Sequence, residues 1–229
     1  MEKKEFPKQK GAPKDPLIKK PNVSGKLNEA FGWVGDMLKF FIGVALIPFA
    51  YSFSVSFLSE FSVINKALQN CFWMGALTLL VVYLFVWEPA PVYAFGQKIL
   101  EAIFGFFAPL VKVAPFLLPI YVIILFSIYG VVSVMIDSDA LLGYFLYLIG
   151  VGMALHLVFS AKALRTRKSD PLKSAYIFGF GFVYIASVLL LALCLSLVFV
   201  NFSFVHFFTA GFGSAKAIFS AVFRQLFVV

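Results

Sequence analysis

A small cluster of polar residues interrupts the long apolar stretch between Trp87 and Pro119. Gln97, Lys98 and Glu101 fall at positions i, i+1 and i+4, so one helical turn brings them close together. Lys98 and Glu101 are spaced for an ion pair, and Gln97 is placed to hydrogen-bond Glu101. A buried cluster of this kind fixes helix register or partner geometry, whereas the same charges on a transport path would carry protons or ions.

The overall composition is that of a membrane protein with several spans. Hydrophobic residues make up 62% of the chain and charged residues only 13%, which excludes an ordinary soluble domain. The net charge is +8, and the basic residues lie in two blocks beside apolar segments, as expected of charges that orient a membrane protein. We therefore expect the lipid bilayer to be a partner of the chain, and we expect no nucleic acid partner.

The chain is predicted to fold as an all-α transmembrane helical bundle of about five spans. Residues 1–26 contain eight lysines and four prolines, a composition that predicts a disordered basic cytoplasmic tail. Residues 27–200 form the predicted membrane domain, in which an interfacial helix leads into the first span and Pro48 kinks that span without ending it. The predicted spans are residues 40–58, which Glu60 ends, and residues 67–87, 116–136, 140–161 and 174–200.

Residues 92–111 are predicted to form a re-entrant or interfacial helix and not a sixth span. The tail and the run from Lys162 to Lys173 are the two strongly basic segments, and both should face the cytoplasm. With five crossings, both basic segments face the cytoplasm, provided that the stretch from Trp87 to Pro115 begins and ends on the cytoplasmic side. With six crossings, one of the two segments faces the opposite side of the membrane. A re-entrant helix at membrane depth requires the surrounding spans to pack around it.

Residues 201–229 are predicted to be an aromatic-rich interfacial segment with an amphipathic helix. The helix is expected over residues 215–227, after Gly211 and Gly213. It lies on the outer surface in the first interpretation and faces a partner in a larger complex in the second. His206 is interpreted as an isolated residue at the membrane interface.

Residues 93–102 read YAFGQKILEA, and this order resembles a pattern in membrane metallopeptidases of the site-2 protease class. Those enzymes carry His-Glu-x-x-His on a membrane helix, which one bacterial branch surrounds as Tyr-x-Phe-Gly-His-Glu-Leu-Thr-His-Ala. Residues 113–119, VAPFLLP, are similar to that branch's Ala-Pro-x-x-x-Pro entry to the next span. Residues 154–160, ALHLVFS, and 169–171, SDP, resemble the later helix and its cytoplasmic end. The resemblance covers roughly residues 85–200 and implies a peptidase-like scaffold in the bacterial inner membrane.

The departures from that pattern remove the chemistry of a zinc peptidase. In the family, two histidines four residues apart bind one zinc ion, and the glutamate between them acts as general base. Here Gln97 and Glu101 stand where the histidines would be, and Lys98 replaces the base. An amide is a poor zinc ligand, and a charged lysine repels the cation and accepts no proton. We therefore expect no peptidase activity and no cofactor.

Further side chains have two interpretations each. His156 either joins Glu101 and Asp170 in a residual metal site or hydrogen-bonds across helices as a structural residue. Cys71 and Cys194 fall toward the outer ends of their spans, where they either form a disulfide or remain small apolar thiols. The structural interpretation is favoured in both cases, because no motif of metal or redox chemistry accompanies these residues.

The expected function is that of a non-catalytic membrane protein, retained as a structural or regulatory subunit of a larger membrane complex. The alternative is a small transporter, a channel or a membrane-enzyme subunit whose working residues are Lys98 and Glu101. The first is favoured because a transporter usually carries further acidic residues within its spans, and none is expected here.

Overall fold

The computed structural model describes residues 23–105, 117–135, 139–165 and 174–227, which contain seven α-helices and no strand. This confirms the predicted all-α class. The chain divides into a unit of Met1–Gly35, whose described backbone is helical from Val23 onward, and a unit of Asp36–Val229, to which the helical bundle belongs. The helices are α1 (Val23–Phe61), α2 (Lys66–Phe85), α3 (Ala90–Phe104), α4 (Ile120–Val132), α5 (Asp139–Arg165), α6 (Ser174–Val198) and α7 (Phe204–Phe227).

Within the described ranges, four segments are long and apolar enough to cross a membrane, and the chain is therefore an integral membrane protein. They match the predicted first, second, fourth and fifth spans. The predicted span at residues 116–136 contains α4, whose 13 residues are by themselves fewer than the roughly 20 of a typical crossing, and both ends of that predicted span lie outside the described ranges. Helix α4 starts only after Pro119, because proline lacks an N–H donor and disfavours helix in the residue before it. The spanning segments are Gly32–Phe61, Lys66–Phe85, Leu141–Arg165 and Tyr176–Val198.

The beginning of the described chain differs from the prediction. Helix α1 is continuous from Val23 to Phe61, so the predicted lead-in helix and first span are one helix. Residues 1–22 of the predicted disordered tail lie outside the described ranges, and residues 23–26 are already part of α1. Pro48 lies inside α1 without ending it, as predicted.

Helices α2 and α5 touch along their backbones, and glycine makes the approach possible. A Cβ atom placed on Gly75 would overlap the carbonyl oxygen of Tyr147, and one on Gly150 would overlap the carbonyl oxygen of Phe72. Small residues at helix contacts are the usual means by which membrane helices approach closely. Helix α5 also packs against α3, α4 and α6.

Helix α7 runs antiparallel along α1. The ring of Phe207, near its start, lies 5.6 Å from that of Phe53, and the ring of Phe219 lies 5.5 Å from that of Phe49. Ser56 Oγ also donates a hydrogen bond of 2.7 Å to the carbonyl of Phe207. The helix therefore extends over Phe204–Phe227 and not only over residues 215–227. The start of α7 lies beside the end of α1, and the rest of α7 runs along α1 toward the beginning of that helix.

One end of the bundle gathers the basic residues of α5. Lys162 forms an ion pair with Glu88, which follows α2. Leu164 packs against Gly179 near the start of α6, and Phe178 of α6 lies against Gly43 of α1. The end of α5, the end of α2 and the start of α6 therefore lie at the same end of the bundle.

Candidate functional site

Helix α3 packs one face against α4, and that face positions the predicted site. The helix begins at Ala90, where Pro91 occupies the first turn and its missing N–H costs nothing. Gly96 and Leu100 are buried. A Cβ on Gly96 would come within 2.7 Å of the ring of Tyr121, so any other residue here would force that ring to shift. Tyr121 Oη donates a hydrogen bond to the carbonyl of Val92, which ties the start of α3 to α4.

Gln97 and His156 are brought together, whereas the sequence pattern placed His156 with Glu101 and Asp170. Gln97 and His156 line a cavity of about 10 Å³ between α3, α4 and α5, beside the rings of Tyr93 and Tyr121. Tyr93 stacks on Phe159 with ring centroids 5.1 Å apart, which holds α3 against α5. A cavity of this size accommodates one water molecule at most.

His156 is the most buried titratable residue of this site. Its side chain is 4% exposed, and Nε2 has no hydrogen-bond partner within the described ranges. The predicted hydrogen bond of His156 across helices is therefore not made by Nε2 there. The ring faces the small cavity that it shares with Gln97.

Lys98 and Glu101 point away from the cavity. Both are exposed, and within the described parts of the chain they form no ion pair with each other. The expected buried ion pair is therefore wrong for this part of the molecule, and so is the hydrogen bond from Gln97 to Glu101. The physical reason is the helical register, because Gly96 and Leu100 take the packed face and turn residues 98 and 101 outward.

The residual metal site has no support among the described residues. Glu101 does not line the cavity that holds His156, and Asp170 lies outside the described residues. Across the described ranges, no group of three or more His, Cys, Asp or Glu side chains could hold a metal ion. The rest of the predicted re-entrant segment, residues 106–111, also lies outside those ranges, so the re-entrant arrangement stays a prediction.

A second polar site, which was not predicted from the sequence, joins the end of α1 to the start of α7. Glu60 is only 7% exposed, and its carboxylate contacts Nδ1 of His206 and accepts a 3.4 Å hydrogen bond from the backbone N–H of Ser203. His206 is therefore not isolated, and Glu60 lies inside α1. The predicted topology could have suggested this contact, because Glu60 and His206 follow spans that were expected to end at the same outer surface of the membrane.

The two cysteines are free thiols in the structure. Cys71 lines a cavity of about 690 Å³ between the first turns of α2 and the first half of α5, beside Asn65 and Tyr144. The Asn65 side chain already accepts a hydrogen bond from the N–H of Ala67 and so caps α2. This agrees with the favoured interpretation of the cysteines as small apolar residues.

Comparison with known protein families, curated proteins and solved structures found no match for this chain. The site is therefore interpreted from its own geometry.

Proposed function

We propose that this protein is a non-catalytic subunit of a larger membrane complex, built on a peptidase-like scaffold, and that the outward face of α3 binds a partner subunit. The proposal rests on the exposure of Lys98 and Glu101, which lie on the side of α3 opposite its packed face. One basic and one acidic group on a single helix face form a pattern that a partner of complementary charge can recognise.

The neighbours of these charges favour a protein partner. Phe95 is 62% exposed and Ile103 is 52% exposed, so apolar side chains border the charged pair. A charged side chain facing hydrocarbon costs about 2.5–3.5 kcal/mol, a cost that a helix with opposite charges offsets. Such a partner would cover the charged and apolar parts of the face together.

The absence of catalysis follows from the residues that fill the family's catalytic positions. Residues 93–102 and 154–160, on which the proposed peptidase-like scaffold rests, lie next to each other, because Gln97 and His156 line one cavity. The amide of Gln97 is a poor ligand for zinc, and Lys98 points away from the cavity and carries the wrong charge for a general base. The scaffold would then serve assembly and not hydrolysis.

The proposed location is the bacterial inner membrane, with the N terminus in the cytoplasm. Lys162 and Arg165 lie at the bundle end that also holds the start of α6. Basic residues beside membrane spans mark the cytoplasmic side. The lysines of residues 1–26 support the same assignment of the N terminus.

Purification in mild detergent tests the proposal. The wild-type chain should retain a stoichiometric partner that mass spectrometry identifies, and Lys98→Glu or Glu101→Lys should reduce that partner at least about tenfold, because an unpaired charge in an interface costs about 2–5 kcal/mol. Lys216→Glu changes an exposed lysine on α7 and should retain the partner. A wild-type chain that purifies without a partner would overturn the proposal. So would a chain that binds one zinc ion and cleaves a membrane substrate, or a Lys98→Glu variant that keeps its partner and loses only solute flux.

A further inference from the structure

A side cavity of about 280 Å³ lies between α1, α2, α5 and α6, away from the residues of α3. On α2 it is bordered by Phe72, Trp73 and Ala76, which lie six to ten residues beyond Lys66. At 1.5 Å per residue, the cavity is about 9–15 Å from the start of that helix, within the depth of the hydrocarbon core. Its lining residues Leu58 and Trp73 are 50% and 46% exposed, so the cavity reaches the membrane-facing surface.

The polar side-chain atoms of the wall, apart from the indole of Trp73, satisfy one another. Ser54 Oγ donates to the carbonyl of Ala50 at 2.6 Å and lies 2.6 Å from Tyr184 Oη, whose proton is therefore directed to Ser54. The remaining wall is apolar, with small residues such as Ala76 and Ala154 opening the space. An occupant therefore needs no polar group at this position.

We propose that the cavity binds one acyl chain of a membrane phospholipid, inserted from the side of the bilayer. A protein helix is about 10 Å across and does not fit between these four helices. The volume is just below the roughly 300–1,000 Å³ of ordinary ligand pockets, as suits a single slim chain. Well-packed interiors contain few voids of this size, because the lining atoms lose dispersion contacts. A hydrocarbon chain restores those contacts and requires no hydrogen bond.

Photolabelling tests the proposal with the purified full chain in liposomes of phosphatidylethanolamine that carries a diazirine within one acyl chain. Mass spectrometry should locate labels on wall residues such as Met153. Ala76→Phe and, independently, Ala154→Phe fill the cavity and should lower that labelling about tenfold. Leu77→Phe adds the same ring to a neighbouring residue that is 54% exposed, and should leave the wall labelling unchanged.

Two outcomes would overturn the assignment. Equal wall labelling in the wild type and in both filled variants, each shown by thermal unfolding to be folded, would mean that the chain does not enter. Loss of labelling in Tyr184→Phe, which keeps the shape and removes only the hydroxyl, would mean that the occupant is bound through a polar group. Unchanged labelling in Tyr184→Phe supports an acyl chain.

Discussion

Glu60 couples two helices that are far apart in the sequence. A buried carboxylate is costly unless hydrogen-bond donors surround it. The backbone N–H of Ser203 donates to this carboxylate and the Nδ1 atom of His206 contacts it, and the two residues lie just before and within the first turn of α7. The end of α1 and the start of α7 are therefore joined by polar contacts, whereas apolar rings join the rest of the two helices.

A double-mutant cycle on Glu60 and His206 measures this coupling. Glu60→Ala and His206→Ala should each lower the free energy of unfolding, with a coupling of roughly 0.5–3 kcal/mol, because either change leaves the other group without its partner. Unfolding in detergent would be followed by circular dichroism. Lys216→Ala, on an exposed position of the same helix, should have little effect. Additive losses from the two variants would contradict a direct contact.

His156→Leu should leave stability unchanged or raise it. The substitution keeps a similar volume and removes a buried nitrogen that has no partner in the described chain, a defect that costs about 1–3 kcal/mol. Ser187→Ala provides a matched comparison, because that buried hydroxyl also has no partner there. Thermal unfolding of the purified variants is the measurement. A marked loss of stability confined to His156→Leu would reveal a bound water or ion that the ring holds.

At the scale of elements, the contact between α2 and α5 leaves no room for an added side chain. Gly75 and Gly150 each face a backbone carbonyl oxygen of the other helix, so the two backbones have no room for a side chain between them. Some other close contacts, such as that of Gly211 with Phe53, involve aromatic rings, which can tilt or shift. A carbonyl oxygen within a helix cannot move without moving the helix.

Gly75→Ala and Gly150→Ala should therefore separate the two helices and destabilise the protein by about 1–3 kcal/mol, the usual cost of overpacking. Gly130→Ala in α4 is the control, because a Cβ there meets no atom within 4 Å. That control should be neutral or slightly stabilising, since alanine is the better helix former. A melting temperature that is the same for all three variants would contradict the close approach.

Local sequence patterns predicted the helices better than their contacts. The four spanning segments follow from long apolar runs, whereas the cavity shared by Gln97 and His156 was not predicted. The outward direction of Lys98 and Glu101 could not be predicted, because it depends on which face of α3 packs against α4. The pair of Glu60 and His206 could not be predicted either, because local periodicity carries no information about residues 146 positions apart.

At the scale of the whole molecule, the orientation of the bundle leads to a labelling experiment. In a chain whose Cys71 and Cys194 are replaced by alanine, Arg165→Cys should be protected from a membrane-impermeant maleimide in intact cells. Asn65→Cys, in the turn between α1 and α2, should be labelled, because the two residues lie at opposite ends of the bundle. Both should react after lysis. The reverse pattern would contradict the proposed cytoplasmic N terminus.

The pairing of α7 with α1 sets an order on biogenesis. Helix α1 enters the bilayer before α7 has been synthesised. While helices α2 to α6 are being made, lipid or an insertion factor must therefore cover the aromatic side chains that later contact α7, which are Phe49, Phe53 and Phe57. The contact between α7 and α1 forms late, because it closes a long loop of chain and the entropy lost in closing that loop opposes the contact. A ribosome stalled before Ser203 should therefore leave α1 in cross-linking reach of the insertion machinery, and release of α7 should end that contact.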